Sequence, residues 1–473
     1  MKNIPTTLVL FGATGNLVAR KILPALFELY DRELLPDKFR VVGFSRTDMD
    51  LEQFRNHVAK MHEEHSSSLM ISDKWPSFIR LFSYQKGNFE NKKDYKALIS
   101  VLKEIDKGFQ EDSNKLFYLA VPPLHYEDIL LNLSSSYTHL RTHKGSAKTK
   151  ILVEKPFGRN LKTSRKLDRL LARLFSDEQI YRIDHYLAKE MVQSVLSFRF
   201  SNSIFESNWN RNHIESVYIR ALEDVGVEKR GGFYDDTGAL RDFGQNHLLQ
   251  MLALVAMEHP QKMDARAIRN NRRKILSSIV APDAEYIRKN TFRAQYEGYK
   301  QILGVRPDST RETYFKIKTY IKSPKFKGVP FYLESGKRLG KDTKDITVNF
   351  KHPSECLCAG RAPHRNSIVF SLAPKEEINI HMGIKKIGYK FELEDKSIKL
   401  ALRENGNGTV SEYEKLLLDC IYGDQTLFTS TEEVRAMWRF IDPIIAAWEA
   451  NAVPLKFYKP DSADILDEAK VIE

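Results

Sequence analysis

The sequence predicts an α/β Rossmann-like N-terminal domain followed by a large α+β C-terminal domain with a mainly antiparallel sheet. Up to about residue 184, apolar runs rich in β-forming residues alternate with helical patterns, which predicts a parallel, doubly wound sheet. Beyond that residue, strand-like runs follow one another without regular helices between them, which favours an antiparallel sheet. We therefore expect the two domains to span residues 1–184 and 185–473.

The N-terminal elements begin with a strand, a glycine turn and a helix. Residues 6–11 are apolar and β-forming, Gly12 and Gly15 follow, and apolar residues recur at helical spacing from Ile22. Further predicted strands cover residues 39–44, 115–120 and 150–153, and the last of these runs into a Glu-Lys-Pro sequence.

The C-terminal half is predicted to contain strands with a few helical segments beside them. The predicted strands cover residues 215–220, 347–350, 366–372, 377–381 and 389–393. The predicted helices cover residues 242–257, 264–279 and 430–450. We expect the tail from Lys459 onward to be mobile.

The composition indicates a globular protein with an anionic partner. Its 473 residues are 42% hydrophobic, which is ample for a sizeable core, and 74 Lys and Arg against 62 Asp and Glu give a net charge of +12. The basic residues are spread along the chain rather than grouped in a block. We therefore expect a phosphorylated small molecule as partner and no nucleic acid.

Cysteine usage and the apolar segments bear on where the protein works. Cys356, Cys358 and Cys420 are too few for a disulfide framework, so we expect free thiols in a reducing cytoplasm. No metal-ligand cluster stands out, and no metal is expected. The start of the chain lacks the apolar stretch of a signal peptide, and the longest apolar-rich segment, residues 248–257, is too short to cross a bilayer. We expect no membrane partner.

The glycine turn predicts a nucleotide site. At Gly12 and Gly15 the absence of side chains lets the backbone approach a pyrophosphate at the positive end of the following helix. An enzyme for NAD usually has an acid at the end of the second strand, whereas this chain has Ser45 and Arg46, which suit a ribose 2′-phosphate. NADP is therefore the predicted coenzyme, with NAD as the alternative. Asp48 lies close to Arg46 and weakens this argument. If the coenzyme is NAD, Arg46 is an ordinary surface arginine.

Residues 181–190 bring an acid, an imidazole, a phenol and an ammonium close together in the chain. If residues 187–198 form a helix, His185 and Lys189 lie four positions apart on one face. Two cationic donors would then converge on one anion.

Seven residues together supply the roles that oxidation of a sugar phosphate requires. An imidazole can remove a hydroxyl proton as hydride leaves carbon, and a carboxylate can orient that imidazole. Cations can hold the phosphate, while carboxylates or a lysine hold the sugar hydroxyls. The candidates are Lys155, Asp184, His185, Lys189, Glu223, Asp242 and His247.

At these residues the sequence resembles the glucose-6-phosphate dehydrogenase family. The similarity covers nearly the whole chain and is carried by residues 12–17, 154–158, 182–193, 245–257, 329–339 and 413–428. It implies an N-terminal NADP-binding Rossmann domain, a C-terminal domain for substrate binding and oligomerisation, and a homodimer or homotetramer. It also implies NADP-dependent oxidation of glucose 6-phosphate at C1 to 6-phosphogluconolactone, the first step of the pentose phosphate pathway.

The resemblance further implies a role for each site residue. His247 resembles the catalytic base, and Asp184 resembles the carboxylate that pairs with it. Substrate binding is implied for Lys155, His185, Tyr186, Lys189, Glu223, Asp242 and Lys337. Cofactor binding is implied for Gly12, Ala13, Thr14, Gly15, Asn16, Leu17, Lys21, Ser45, Arg46 and Lys155. Pro156 matches a proline whose preceding bond is cis in relatives.

Four positions depart from the family pattern. Asn16 replaces an aspartate, Ala188 a glycine and Phe326 a tryptophan. Glu334 stands where the family typically has arginine, so the charge is reversed three residues before Lys337. These changes leave the catalytic set intact and bear on affinity and on any second, structural nucleotide site.

Two alternative functions remain open at this point. One is another NAD(P)-dependent sugar oxidoreductase with a Rossmann domain and a Glu-Lys-Pro sequence, such as the family that oxidises inositol. That family would not predict a phosphate clamp made by His185 and Lys189. The other is a catalytically silent homologue with a regulatory role, against which the complete set of reacting residues argues.

Overall fold

The computed structural model describes residues 4–65, 72–137, 149–353, 366–402 and 410–473, which form two compact units. The first unit consists of residues 1–188, 264–266 and 409–431, and the second of residues 189–263, 267–408 and 432–473. Within the described ranges, no helix is both long and apolar enough to cross a membrane.

The first unit is built on a seven-stranded sheet. Its strands are β1 (Thr6–Phe11), β2 (Phe39–Ser45), β3 (Phe82–Lys86), β4 (Asn114–Leu119), β5 (Thr149–Val153), β6 (Ile180–Ile183) and β15 (Phe428–Thr429). Its helices are α1 (Leu23–Asp31), α2 (Leu51–His65), α3 (Trp75–Ile79), α4 (Lys92–Phe109), α5 (Tyr126–Ser136), α6 (Leu161–Leu174) and α13 (Glu412–Tyr422). The strand order is β15-β6-β5-β4-β1-β2-β3, with β1 to β6 parallel and β15 antiparallel to β6. Every residue of β1 and β5 is buried, as expected for a parallel sheet covered on both faces.

The second unit is built on a nine-stranded sheet. Its strands are β7 (Ile214–Leu222), β8 (Thr291–Tyr296), β9 (Tyr314–Thr319), β10 (Phe331–Gly336), β11 (Thr343–Phe350), β12 (Ser367–Ala373), β13 (Glu377–Lys385), β14 (Leu393–Ala401) and β16 (Leu455–Tyr458). Its helices are α7 (Glu190–Phe200), α8 (Ser203–Glu206), α9 (Gly231–Ala239), α10 (Leu249–Ala256), α11 (Ala265–Ser278), α12 (Ala284–Asn290), α14 (Thr431–Glu449) and α15 (Asp464–Glu468). The order is β14-β13-β12-β11-β7-β10-β9-β8-β16, and only the β7/β10 and β8/β16 pairs are parallel. The two sheets confirm the predicted fold class.

The segment 409–431 lies in the first unit, which differs from the predicted division of the chain at residue 184. Helix α13 packs against α1, and β15 extends the sheet beside β6. The buried ammonium of Lys150 on β5 donates to the main-chain oxygens of Cys420 (2.6 Å) and Ile421 (3.2 Å) at the end of α13. Carbonyls at a helix end lack partners within the helix, so this lysine satisfies them and fixes α13 to the sheet.

Two expectations about the C-terminal part are wrong. Residues 389–392 are not part of a strand, because β14 begins only at Leu393. It pairs antiparallel with β13, and Leu393 lies opposite Lys385. The tail is not a mobile segment either, since α15 and a 3₁₀ turn at Ala469–Ile472 bury Ile465 and Ala469. Cys420 is a buried free thiol, while Cys356 and Cys358 lie outside the described residues.

Candidate active site

The predicted coenzyme turn follows β1 at an edge where several parallel strands end. Gly12 has a φ of +81°, and a Cβ there would lie 2.7 Å from Val121 Cγ1 and 2.8 Å from the Ala120 oxygen. The Gly12 N–H donates to the main-chain oxygen of Phe44 on β2 (2.9 Å), which fixes the turn between the two strands. The turn therefore needs glycine, and its bare backbone fits the pyrophosphate of a dinucleotide.

The chain leaves this turn directly into a helix. The Gly15 N–H donates to the Gly12 oxygen (2.9 Å), and a π-helical turn at Val18–Ile22 then continues into α1. Lys21 is exposed in that first turn. Amide groups at a helix start and a nearby lysine are suited to an anion. The predicted cofactor residues Gly12, Ala13, Thr14, Gly15, Asn16, Leu17 and Lys21 thus lie along one continuous turn and helix start.

The end of β2 presents an arginine to solvent. Ser45 is buried and its hydroxyl hydrogen bonds with the Tyr84 hydroxyl (2.8 Å). Arg46 is exposed, with its guanidinium carbon 5.9 Å from the centroid of the Phe89 ring. Asp48, two residues after Arg46, forms an ion pair with Lys86 (2.7 Å). Of the two residues predicted to bind the ribose phosphate, Arg46 is therefore exposed and Ser45 is not.

The Glu-Lys-Pro sequence forms the turn after β5. The Lys155–Pro156 peptide is cis, as the resemblance implies. Glu154 accepts hydrogen bonds on one carboxylate oxygen from Tyr118 (2.6 Å) and Tyr413 (3.3 Å). The sequence predicted a role for Lys155 and none for Glu154, because a local pattern does not show that tyrosines from distant elements donate to Glu154.

The segment after β6 differs from the predicted helix. Asp184 is buried, its carboxylate accepts the Tyr186 N–H (3.0 Å), and its main-chain oxygen accepts the Leu187 N–H (3.0 Å). These bonds tighten His185–Ala188 into a 3₁₀ turn, and Lys189 has extended backbone (φ −65°, ψ 130°) before α7 begins. The expectation that His185 and Lys189 share one face of an α-helix is therefore wrong.

The first unit brings several predicted site residues to one sheet edge. Strands β5 and β6 are parallel neighbours, so Lys155 after β5 and Asp184 and His185 after β6 follow strand ends at the same edge. The His185 ring lies 5.0 Å from the Tyr186 ring and 6.5 Å from the Tyr413 ring, nearly parallel to the latter. His185 is half-buried and Tyr186 is buried.

In the second unit, Glu223 and Lys337 leave two parallel strands side by side. Leu222 at the end of β7 is in register with Gly336 at the end of β10, and the Glu223 N–H donates to the Gly336 oxygen (2.9 Å). The Lys337 ammonium forms an ion pair with the Glu223 carboxylate, and the Lys344 ammonium lies 3.8 Å from its other oxygen. A carboxylate and two lysines are suited to binding sugar hydroxyls.

Asp242 and His247 lie on a π-helical segment, Leu240–Leu248, which continues into α10 and packs against β7 and β10. The predicted α-helix over 242–257 is therefore π-helical in its first half. Glu312 holds the start of this segment by accepting the Leu240 N–H on its side chain (3.1 Å). Both Asp242 and His247 are buried. Burial raises the pKa of the Tyr234 phenol well above its usual value, and the charges of Asp242 and, less strongly, Glu223 add to the rise.

Glu334, the reversed charge, is accommodated inside the second sheet. On β10 it lies opposite Arg220 of β7 and Lys316 of β9, and the Tyr314 hydroxyl donates to it (2.6 Å). Burial raises the pKa of the Glu334 carboxyl, while Lys316 and Arg220 oppose the rise. Glu334 thus has its own cationic neighbours, and Lys337 pairs with Glu223 instead.

Two family profiles together match nearly the whole chain. The profile "Glucose-6-phosphate dehydrogenase, NAD binding domain" matches residues 9–194, and the profile "Glucose-6-phosphate dehydrogenase, C-terminal domain" matches residues 196–472.

Individual relatives agree with these profiles. The glucose-6-phosphate 1-dehydrogenase of Chlamydia pneumoniae is 36% identical over 469 residues, covering 95% of this chain and 91% of that protein. The enzyme of the same name from Treponema pallidum is 36% identical over 477 residues, covering 97% and 92%. A solved structure described as glucose-6-phosphate dehydrogenase in complex with its substrate glucose-6-phosphate has a TM-score of 0.90 at 29% identity, covering 99% and 97%. The chain belongs to the glucose-6-phosphate dehydrogenase family.

Proposed function

We propose that this protein oxidises D-glucose 6-phosphate at C1 to 6-phospho-D-glucono-1,5-lactone with hydride transfer to NADP, the first step of the pentose phosphate pathway. The observation that carries the proposal is the grouping in the second unit, where the segment bearing the buried Asp242 and His247 packs against the strands that end at Glu223 and Lys337. The solved relative in complex with glucose 6-phosphate supports the same substrate.

Each site residue has a distinct role in the proposed reaction. His247 removes the proton of the C1 hydroxyl, and Glu223 and Asp242 accept hydrogen bonds from sugar hydroxyls, which holds the reacting carbon in place. When bound, the coenzyme supplies the nicotinamide ring that accepts the hydride. The predicted phosphate binders are His185, Tyr186 and Lys189, and the pairing of Asp184 with His247 stays a prediction from the resemblance. A cytoplasmic location and assembly as a homodimer or homotetramer are likewise still predictions.

The coenzyme side of the proposal has two parts. The turn of residues 12–17, with Lys21, would hold the pyrophosphate, because this glycine turn runs from β1 directly into a helix start. Lys155 is proposed to bind the substrate and also to line the coenzyme site. Ser45 is proposed to line the coenzyme site, and Arg46 to bind the ribose 2′-phosphate.

Initial rates on glucose 6-phosphate and on free glucose, each with NADP and with NAD, test the proposed function. We expect turnover of glucose 6-phosphate and far slower turnover of free glucose, because only the phosphorylated sugar carries the phosphate that His185, Tyr186 and Lys189 are proposed to bind. Equal rates on both sugars would support a different sugar oxidoreductase. No turnover by the folded protein would support a silent homologue.

Replacing Arg46 by alanine is expected to reduce the preference for NADP over NAD. Hydrogen bonds to a charged group contribute about 1.5–3 kcal/mol, so the ratio of kcat/KM for the two coenzymes should fall about tenfold to hundredfold. Arg80→Ala is the matched control, because Arg80 is an exposed arginine of the same unit. An unchanged ratio in Arg46→Ala would refute the assignment of the 2′-phosphate to this residue.

A further inference from the structure

We propose that Glu154 is a positioning residue: its carboxylate links the Lys155 turn to Tyr413, and through the Tyr413 ring to His185, so that two substrate-binding residues are held in one arrangement. The inference rests on the proposed function for what those two residues bind. It assigns a role to a side chain that the reaction scheme above does not use.

Three tyrosines from three different elements converge on Glu154. Tyr118 of β4 and Tyr413 of α13 donate to the same carboxylate oxygen, at 2.6 Å and 3.3 Å. Tyr126 of α5 donates to the Glu154 main-chain oxygen (3.1 Å). The turn that presents Lys155 is thereby fixed from three directions at its first residue.

Tyr413 connects this cluster to the segment after β6. Its ring is nearly parallel to the His185 ring, with an interplanar angle of 22° and a centroid distance of 6.5 Å. Glu412 and Asp184 also lie close enough to act on the Tyr413 phenol electrostatically. Rings at this separation restrict one another's orientation, so the hydrogen bond from Tyr413 to Glu154 also restrains His185.

The electrostatics of the cluster make the link sensitive to pH. Burial raises the pKa of the Glu154 carboxyl to about 7, and the bonds from Tyr118 and Tyr413 and the charge of Lys155 limit the rise. The other facing groups are phenols whose pKa values burial raises further, together with the thiol of Cys420 near Tyr118. Glu154 is therefore the member of the cluster that titrates near neutral pH. A carboxylate is a stronger acceptor than a carboxyl group, so Tyr413 is held more firmly above that pH.

Steady-state kinetics of Glu154→Gln and Tyr413→Phe from pH 6 to 8 test the inference. At pH 8 the bond from Tyr413 to the ionised Glu154 is charge-assisted, so weakening or losing it predicts a rise in KM for glucose 6-phosphate of about twofold to tenfold, with kcat changed less. The wild-type KM should also rise as the pH falls through about 7, and Glu154→Gln should lack this step. The substrate phosphate titrates near pH 6 in every variant, so the comparison with wild type removes its contribution.

Tyr95→Phe is the matched control. It removes another buried phenol of the first unit, one that donates to the Phe89 main-chain oxygen (2.9 Å), and it should leave KM and its pH dependence unchanged. If Glu154→Gln keeps the wild-type KM and pH step, or if Tyr95→Phe shifts KM equally, the positioning role is overturned.

A second measurement does not depend on turnover. In nuclear magnetic resonance spectra, the ring signals of Tyr413 should show a step near pH 7 that disappears in Glu154→Gln and remains in His185→Asn, which removes the neighbouring imidazole. Persistence of that step in Glu154→Gln, or its loss in His185→Asn, would overturn the inference. If the wild-type protein is inactive on glucose 6-phosphate, the proposed function is overturned. The nuclear magnetic resonance result would then still test whether Glu154 has the positioning role.

Discussion

Replacing His247 by asparagine is expected to lower kcat for glucose 6-phosphate by about 10²-fold to 10⁴-fold, the usual contribution of a general base. His247 is buried, and it lies on a segment whose start is held by the Glu312 carboxylate. Asparagine has a similar shape at its polar end but cannot take up a proton at neutral pH. The affinity for glucose 6-phosphate, measured by calorimetry, should therefore change little while turnover is lost.

His213→Asn provides the matched control for this experiment. His213 is an exposed histidine of the same unit, so the same chemical change there should leave kcat unchanged. Thermal unfolding of both variants shows whether the buried site tolerates the change. A folded His247→Asn protein with near-normal turnover would exclude His247 as the base.

Replacing Lys189 by alanine is expected to raise KM for glucose 6-phosphate about tenfold to hundredfold, because a charged hydrogen bond contributes about 1.5–3 kcal/mol. Lys189 is half-buried at the start of α7, on extended backbone between a 3₁₀ turn and the helix. The KM for the coenzyme should stay unchanged, since the lysine is assigned to the sugar phosphate alone.

The control for Lys189→Ala is Lys327→Ala, which removes an exposed lysine of the same unit. It lowers the net charge equally, so any effect common to both variants reflects general electrostatic attraction of the anion. An unchanged KM in Lys189→Ala would count against its role as a phosphate binder.

The fold class was predictable because the strands of both sheets can be recognised in the sequence as short apolar, β-forming runs. Strands β1 and β5 are buried along their whole length, and each contains a short apolar run, residues 8–11 and 151–153. Strand β10 was not predicted, since it places Glu334 and Ser335 in the core. Glu334 is accommodated there by Arg220, Lys316 and Tyr314, which come from other strands. A local pattern carries no record of such partners.

The sequence predicted which residues belong to the candidate site, but it did not predict the backbone conformation around them. Glycine, lysine and histidine positions stand out by type and by the resemblance, and the structure places Lys155 and His185 after neighbouring parallel strands. The 3₁₀ turn after Asp184 and the π-helical segment around His247 depend on side chains that accept main-chain N–H groups, Asp184 and Glu312. Sequence periodicity assumes 3.6 residues per turn and misses both departures.

The return of residues 409–431 to the first unit matters for biosynthesis. Proteins leave the ribosome N-terminus first, and a contiguous domain can fold as soon as it has emerged. Here all six parallel strands of the first unit emerge early, but α13 and β15 follow only after more than 400 residues. The surface that Leu416, Leu417 and Ile421 cover stays open until then. A premature stop codon upstream of α13 would therefore damage the nucleotide-binding half of the protein as well as the half it truncates.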